Sequence, residues 1–206
     1  MKLQLENLKS YRPVAINEKS RYALNIPIVE LEGGEPSFLF ELRAKDLIVQ
    51  PGDVCLPGGG LERGETYLEA CVRETAEELG ISKSKIKKIA ELDYLNGDAS
   101  TLKVFLTKLE IRSLDELAYS TAEVDSVFTV PIDFFVKNKP DEYPIKRKYL
   151  YPSDFPFHMI HGGRNYRLRG QDQKIFFYDY NGIAIWGLTA RIIRHSVNLL
   201  IEKGVL

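Results

Sequence analysis

The sequence predicts an α/β fold in which a mixed β-sheet lies between helices. Three observations support this fold class. Apolar residues alternate along several short segments, as in strands that are buried on one face. One amphipathic helix, within residues 59–81, interrupts these segments, and a second amphipathic helix closes the chain. Strands interrupted by one helix and followed by another favour a mixed sheet with helices packed against it.

The predicted elements follow in chain order. Residues 1–20 are polar and are expected to form an N-terminal extension, ahead of a single domain over residues 21–206. Alternating apolar residues predict a strand at 22–31. The Gly- and Pro-containing segment 32–36 predicts a turn, and residues 38–42 are expected to form the returning strand. A short apolar strand at 54–56 is expected to end at the glycine run 58–60. Further strands are predicted at 85–94, 102–109, 124–130 and 175–180.

Composition limits the classes of partner. The 206 residues suit one domain with a sizeable core. The net charge is −1, from 28 basic and 29 acidic residues, so no overall field attracts nucleic acid or an anionic membrane. We therefore expect neither partner. No signal pattern or membrane-spanning apolar run is found, and the two cysteines lack metal-ligand spacing, so a cytoplasmic location is expected.

Acidic residues are concentrated at fixed spacing within 59–81. Gly59 is followed after five residues by Glu65, and after seven more by Arg73-Glu74-Thr75-Ala76-Glu77-Glu78. Helical neighbours lie three and four residues apart, so Glu74, Glu77 and Glu78 share one face of the predicted helix. Like charges on one face repel each other, and Mg²⁺ or Mn²⁺ would relieve that repulsion, because hard cations prefer carboxylate oxygens. A solvated acidic face is the alternative. The opposite face is predicted to enter the core through the apolar or small side chains of Leu68, Val72, Thr75 and Leu79.

This pattern resembles the Nudix box of the nucleoside-diphosphate-linked-moiety hydrolases. Every polar and glycine position matches, and Thr75 stands at a position that is usually hydrophobic. The resemblance implies an α/β/α sandwich and a metal-dependent hydrolase acting on a small nucleoside-diphosphate-linked substrate. It also implies that Glu74 is either a metal ligand or the base that orients the attacking water. The implied metal ligands are the Gly58 carbonyl, Glu74, Glu77 and Glu78. Arg73 and Glu65 would form an ion pair that positions these glutamates, a role compatible with simple helix stapling.

A second motif lies just upstream of the box. Arg43, Gly52 and the sequence Pro57-Gly58-Gly59 resemble the additional signature of the coenzyme A pyrophosphatase branch of the family. The sequence departs from that signature at Ala44, Ile48 and Leu56, and Ile48 replaces a second basic residue. Arginine suits two-pronged phosphate binding. The residues expected to bind substrate are Arg43, Lys45, Gly52 and Gly59.

A third segment, residues 178–190, is similar to an Ile-Trp-Gly-Leu-Thr-Ala segment of the same branch. Its expected role is structural, with Trp186 packing under the sheet and the closing helix following it. Between these motifs, residues 149–169 mix basic and aromatic side chains. This stretch is open to three interpretations: a loop over the active site that binds an adenine nucleotide, a self-association surface, or a solvated loop.

A further acidic residue outside the box is expected near the metal. Glu123 precedes the strand at 124–130, and in this family an acid at such a position can complete the metal shell or act as base. Asp98 is a weaker candidate. A surface acid beside the box is the alternative for Glu123.

These observations lead to one preferred function. The resemblance implies a Mg²⁺- or Mn²⁺-dependent hydrolase that cleaves coenzyme A, or a derivative, to 4′-phosphopantetheine and adenosine 3′,5′-bisphosphate. The alternative substrates are ADP-ribose, NADH or a nucleoside triphosphate. A Nudix module that senses a nucleotide without turnover is a third hypothesis. A homodimer is expected from the family, although the sequence does not fix the oligomeric state.

Overall fold

The computed structural model describes residues 9, 16, 18–97, 99–146, 148–166 and 173–206. Three of the predicted features lie at least partly outside the described residues. They are Asp98, most of the N-terminal extension, and residues 167–169 of the basic and aromatic stretch. Two compact units follow one another along the chain, Met1–Val136 and Lys137–Leu206. The prediction of one domain over residues 21–206 stays a prediction.

The first unit contains a mixed β-sheet. Strand β1 runs parallel to β7 and antiparallel to β2 and β4, which confirms the mixed sheet. The strands are β1 (Ser20–Val29), β2 (Ser37–Arg43), β3 (Val54–Cys55), β4 (Gly58–Gly60), β5 (Ile86–Glu91), β6 (Leu95–Asn96), β7 (Ser100–Leu109) and β8 (Val124–Pro131). The glycine run was expected only to end a strand. It instead forms β4 and pairs with residues 22–24 of β1, because glycines allow close approach of the two backbones.

Among the described residues, the α-helices of this part of the chain are α1 (Tyr67–Leu79) and α2 (Ile132–Lys137). Helix α1 begins at a capping box, in which Thr66 and Glu69 bond each other's backbone N–H groups. It ends at Gly80, which adopts a left-handed conformation and lies so close to the loop at 117–120 that a Cβ would be 1.9 Å from the Ala118 carbonyl oxygen. The backbone N–H of Ser120 donates to the Glu78 carbonyl, so this segment is fixed to the end of α1.

The two helices cover opposite faces of the sheet. Successive side chains of a strand point to opposite faces. On β2, the rings of Phe38 and Phe40 lie 5.8 and 5.9 Å from the ring of Phe135 in α2. Leu39 packs instead in the core cluster that contains Leu79 of α1. Glu41 shares the face of Leu39, so its side chain is directed to the α1 side of the sheet.

The second unit contains a three-stranded antiparallel sheet and a helix. The elements are β9 (Asp141–Ile145), β10 (Gln173–Tyr180), β11 (Ile183–Trp186) and α3 (Gly187–Glu202). The late strand and the closing helix were predicted, whereas β9 and β11 were not. Trp186 stacks on Phe177 with ring centroids 5.6 Å apart, and 37% of its surface stays exposed. It therefore packs on one strand of this small sheet and is not buried beneath it.

Candidate active site

Arg73 is the central ion-pairing residue of the box. Its guanidinium donates from Nε to Glu65 Oε1 at 2.9 Å and from a terminal nitrogen to Glu65 Oε2 at 3.0 Å. It also donates to the carbonyl of Gly60 at 2.9 Å and pairs with Glu74 at 2.9 Å and Glu77 at 3.3 Å. The hydrogen bonds to Arg73 lower the pKa of Glu65 and raise that of Arg73 itself. Arg73 thus ties the helix to the loop ahead of it, as the ion-pair hypothesis requires.

Glu74 lies against the glycine strand β4. A Cβ placed on Gly59 would be 2.3 Å from Glu74 Oε1, so only a glycine leaves room for this carboxylate. The side chain is held between that backbone and Arg73, with about one fifth of its surface exposed. The resemblance to the Nudix box predicts this residue to be a metal ligand or the base.

Glu78 and Glu77 differ in their surroundings. Glu78 is 8% exposed and accepts a hydrogen bond of 2.8 Å from the backbone N–H of Gly58. Glu77 has 59% of its side chain exposed and pairs with Arg73. Of these two glutamates on the predicted acidic face, Glu78 is thus buried at the sheet, whereas Glu77 is exposed to solvent. The buried residues of α1 are Ala70, Cys71, Thr75, Ala76, Glu78 and Leu79.

Glu41 is an acidic residue of the site that the sequence did not indicate. It is 1% exposed and is paired in register with Cys55 of β3. The Cys55 thiol donates to Glu41 Oε2 at 3.7 Å, while Oε1 is buried with no hydrogen-bond partner among the described residues. The available signal was a single charged residue within the apolar run of β2. Such a charge is seldom buried without a partner.

Negative charges dominate this side of α1. Burial raises the pKa of Glu78 to about 8, the Gly58 N–H opposes that shift, and the charges of Glu74 and Glu123 add to it. Burial, followed by the charge of Glu78, raises the pKa of Glu41 well above its usual range. Arg43 opposes both shifts. Burial also raises the pKa of the Cys55 thiol.

The upstream segment meets the box at these carboxylates. Arg43, at the end of β2, is half-buried, and its side chain donates to the Val49 carbonyl at 3.3 Å. Gly52 has a φ of 71°, and its backbone N–H donates to the Arg43 carbonyl at 3.2 Å. Lys45 and Ile48 are exposed on the connecting loop, Ile48 at 99%. The structure thus brings the backbones of Arg43 and Gly52 into contact, whereas Lys45 is exposed to solvent on the connecting loop.

Glu123 lies beside the same segment. Its side chain is exposed, and its backbone carbonyl accepts from the N–H of Ala44 at 2.9 Å. Its charge acts on both Glu41 and Glu78. The structure therefore brings Glu123 to the box, and its part in metal binding or proton transfer stays a prediction.

The donor set fits a hard divalent cation. Its side-chain donors are all carboxylate oxygens, which Mg²⁺ and Mn²⁺ prefer. One of them, Glu41 Oε1, is buried without a partner. Within the described ranges, no three acidic, histidine or cysteine side chains converge closely enough to hold an ion as they stand. Glu77 is turned to Arg73 in this arrangement.

The threonine that departs from the box pattern has a specific partner network. Thr75 is fully buried, and its hydroxyl donates to the Cys71 carbonyl at 2.7 Å. The same hydroxyl accepts from Asn25 Nδ2 at 3.1 Å, and Asn25 Oδ1 accepts from the Thr107 hydroxyl at 2.9 Å. A polar side chain at this position therefore links α1 to the two central parallel strands.

Two further features lie near or beyond the box. A cavity of 680 Å³ adjoins Gly60 and Glu65, with Arg21, Tyr22 and Arg63 among its lining residues. In the second unit, the predicted basic and aromatic stretch contains a cluster of three rings, with Arg164 5.0 Å from the centre of one of them. The clustered rings are those of Tyr151, Phe155 and Phe157.

Comparison with known proteins places this geometry in a family. The chain is 29% identical over 188 residues to Nudix hydrolase 3 of Caenorhabditis elegans, covering 88% of this chain and 73% of that protein. It is 28% identical over 167 residues to the peroxisomal coenzyme A diphosphatase NUDT7 of Mus musculus, covering 76% and 67%. The crystal structure of a MutT/nudix family protein from Enterococcus faecalis shares the fold, with a TM-score of 0.50, 14% identity, and coverage of 96% and 68%.

No helix within the described residues is both long and apolar enough to cross a membrane.

The family model of the NUDIX domain matches residues 21–151, which include the capped helix, the glycine strand and the buried carboxylates. The chain therefore belongs to the NUDIX family.

Proposed function

We propose that this protein hydrolyses the diphosphate bond of coenzyme A or a close derivative, with Mg²⁺ or Mn²⁺ bound by the box glutamates. The observation that carries this proposal is the meeting of the two motifs at one carboxylate. Gly58 of the upstream signature donates its N–H to Glu78 of the box, and the charge of Arg43 acts on the same Glu78. The similarity to the mouse coenzyme A diphosphatase, which extends over 76% of the chain, supports this choice of substrate.

The proposed cation site consists of the Gly58 carbonyl, Glu74, Glu77 and Glu78. When bound, the cation would neutralise charge on the diphosphate oxygens and favour formation of hydroxide. Arg73 would position Glu74 and Glu77, since it pairs with both side chains. Glu74 would orient the attacking water or complete the cation's ligand set, and Glu123 is the second candidate for either role.

The proposed substrate contacts lie on the upstream segment. The Arg43 guanidinium would bind a phosphate oxygen, and Lys45 would add a positive charge from the exposed side of the loop. The backbones of Gly52 and Gly59 would allow the substrate to approach closely. A water oxygen would form a new bond to one phosphorus as the bridging P–O bond breaks. The products would be 4′-phosphopantetheine and adenosine 3′,5′-bisphosphate.

One observation favours a second candidate. Ile48 is exposed at 99% where the coenzyme A branch usually carries a basic residue, so one expected phosphate contact is missing. A Nudix hydrolase of ADP-ribose, NADH or a nucleoside triphosphate would not need that contact. The non-catalytic module is disfavoured because all the box glutamates are present.

The test is product analysis by mass spectrometry. Purified protein is incubated with Mg²⁺ and coenzyme A, with ADP-ribose, NADH and a nucleoside triphosphate in parallel. Glu78→Gln serves as the control for contaminating phosphatases, because glutamine keeps the size of the side chain and removes its charge. We expect 4′-phosphopantetheine from coenzyme A at a higher rate than any other cleavage, and none with the variant.

Cleavage of only the other substrates would reject coenzyme A and retain the box chemistry. Turnover by Glu78→Gln comparable to that of the unmodified protein would reject the cation site. The expected homodimer and cytoplasmic location stay predictions.

A further inference from the structure

We infer that Glu41, on strand β2 and outside the helix motif, supplies an additional carboxylate ligand to the cation of the box. This inference rests on the proposed function, because it assumes that the box binds a divalent cation. It adds a ligand from strand β2 to the proposed set from α1 and the glycine strand β4, for which Glu123 is a further candidate.

The first argument is burial. Glu41 is 1% exposed and is among the largest fully buried side chains. A carboxylate at such a position loses its hydration, and the loss must be offset by hydrogen bonds, a counter-charge or a metal. An apolar residue would fill this part of the core without that cost. The position of Glu41 therefore requires a specific partner for its carboxyl group.

The second argument is that the chain does not supply this partner in full. Glu41 Oε2 accepts from the Cys55 thiol at 3.7 Å, and a thiol is a weak donor. Oε1 has no partner among the described residues. If the carboxyl group were neutral, a proton on Oε1 would need an acceptor, and none is found there. In either protonation state this oxygen requires a group from outside the described chain.

The third argument identifies the kind of group. Glu41 is on the α1 side of the sheet, and the negative charges that act on it are those of Glu78 and Glu123. The positive charge of Arg43 opposes these negative charges at both Glu41 and Glu78. Buried carboxylates whose charges act on each other repel, and a cation bound between them would offset that repulsion. A divalent cation satisfies the free oxygen and removes the repulsion at once.

The test measures binding of Mn²⁺ alone, without substrate. Mn²⁺ is titrated into metal-free protein, and free Mn²⁺ is followed by electron paramagnetic resonance. The variant is Glu41→Gln, which keeps the shape of the side chain. Glu32→Gln is the matched control, since it removes one charge from an exposed position of the same unit. We expect Glu41→Gln to weaken Mn²⁺ binding by about tenfold or more, and Glu32→Gln to leave it unchanged.

Thermal unfolding gives an independent measure. Without metal, Glu41→Gln should unfold at the same or a higher temperature than the unmodified protein, because an unpaired buried carboxyl group is removed. At the same high Mn²⁺ concentration, this variant should gain less in Tm than the unmodified protein, because a ligand that binds more weakly stabilises the folded state less. Glu41→Asp keeps the negative charge but shortens the side chain by one methylene, which moves the carboxylate away from the proposed cation. This variant should also weaken Mn²⁺ binding. It serves as the second variant if Glu41→Gln does not fold.

The outcomes separate this inference from the proposed function. If Glu41→Gln and Glu41→Asp bind Mn²⁺ as tightly as the unmodified protein while Glu78→Gln does not, Glu41 is a structural residue and the inference is wrong. A metal-independent loss of Tm with unchanged Mn²⁺ affinity has the same meaning. If the unmodified protein itself binds no Mn²⁺, the cation site of the proposed function is wrong, and the inference falls with it.

Discussion

The carboxylate of Glu74 lies directly against the backbone of Gly59, and a methyl group on Gly59 would come within 2.3 Å of Glu74 Oε1. The next glycine, Gly60, has room for such a methyl group, whose nearest neighbour would be at an ordinary contact distance of 3.9 Å. Neither glycine has a positive φ, so the difference between them is one of space alone.

Gly59→Ala should therefore displace Glu74 and reduce hydrolysis by about 100-fold, because misplacing a catalytic group by about 1 Å can cost that much. Stability should change little, since the long Glu74 side chain can rotate away. The measurement is kcat/KM, with Tm as the check on folding. Gly60→Ala is the matched control and should keep near-normal activity. Equal activity of the two variants would show that the position of Glu74 does not matter.

The buried acids predict how the metal-free protein responds to pH. Folding raises the pKa of Glu78 to about 8 and raises that of Glu41, so between about pH 5 and 8 the folded state binds more protons than the unfolded state. The free energy of unfolding is therefore higher at low pH and falls as pH rises, because the two buried carboxyl groups then lose their protons. The slope is on the order of 1 kcal/mol per pH unit for each such group.

Urea unfolding in the presence of EDTA, at pH values from 5 to 8, measures this effect. Glu78→Gln should gain stability relative to the unmodified protein as pH rises, because it lacks one of the titrating groups. Parallel pH profiles for the two proteins would contradict the raised pKa of Glu78.

The polar network of Thr75 makes a prediction about stability. Thr75→Val keeps the shape of the side chain but removes the acceptor of the Asn25 amide, which lies in the core. An unsatisfied buried donor costs about 1–3 kcal/mol, so this variant should lower the free energy of unfolding by that amount. Urea denaturation is the measurement. A variant as stable as the unmodified protein would mean that the hydroxyl is dispensable.

Ile48 provides a gain-of-function test of the substrate. Its side chain is 99% exposed, so Ile48→Arg should fold normally. If coenzyme A is the substrate, the added cation should lower its KM several-fold, and the gain should shrink as salt screens the charge. Ile89→Arg, at another exposed apolar position of the first unit, controls for the change in net charge. An unchanged KM for coenzyme A would argue against a phosphate near this loop.

Local sequence was sufficient for the elements that carry the box. The capping residue Thr66, the glycine at position 80 and the helical spacing of Arg73 and Glu77 are properties of neighbouring residues, so helix α1 was predictable. Alternation along β1 and the apolar run of β2 were equally local. The glycine strand β4 was missed because it has no side-chain pattern, and only its pairing with β1 makes it a strand.

The family, the α/β class, the position of the box helix and the identity of its acidic residues could all be predicted from the sequence. The burial of particular acids, and the position of Glu41 beside them, depend on tertiary packing. Glu41 and Glu78 are far apart in the chain, and they share one site because β2 lies in the sheet beneath α1. Burial depends on the elements that pack over a residue, and these come from distant parts of the chain. Spacing within one segment therefore indicated the glutamates of the box, whereas the burial of Glu41 beside them is seen only in the folded sheet.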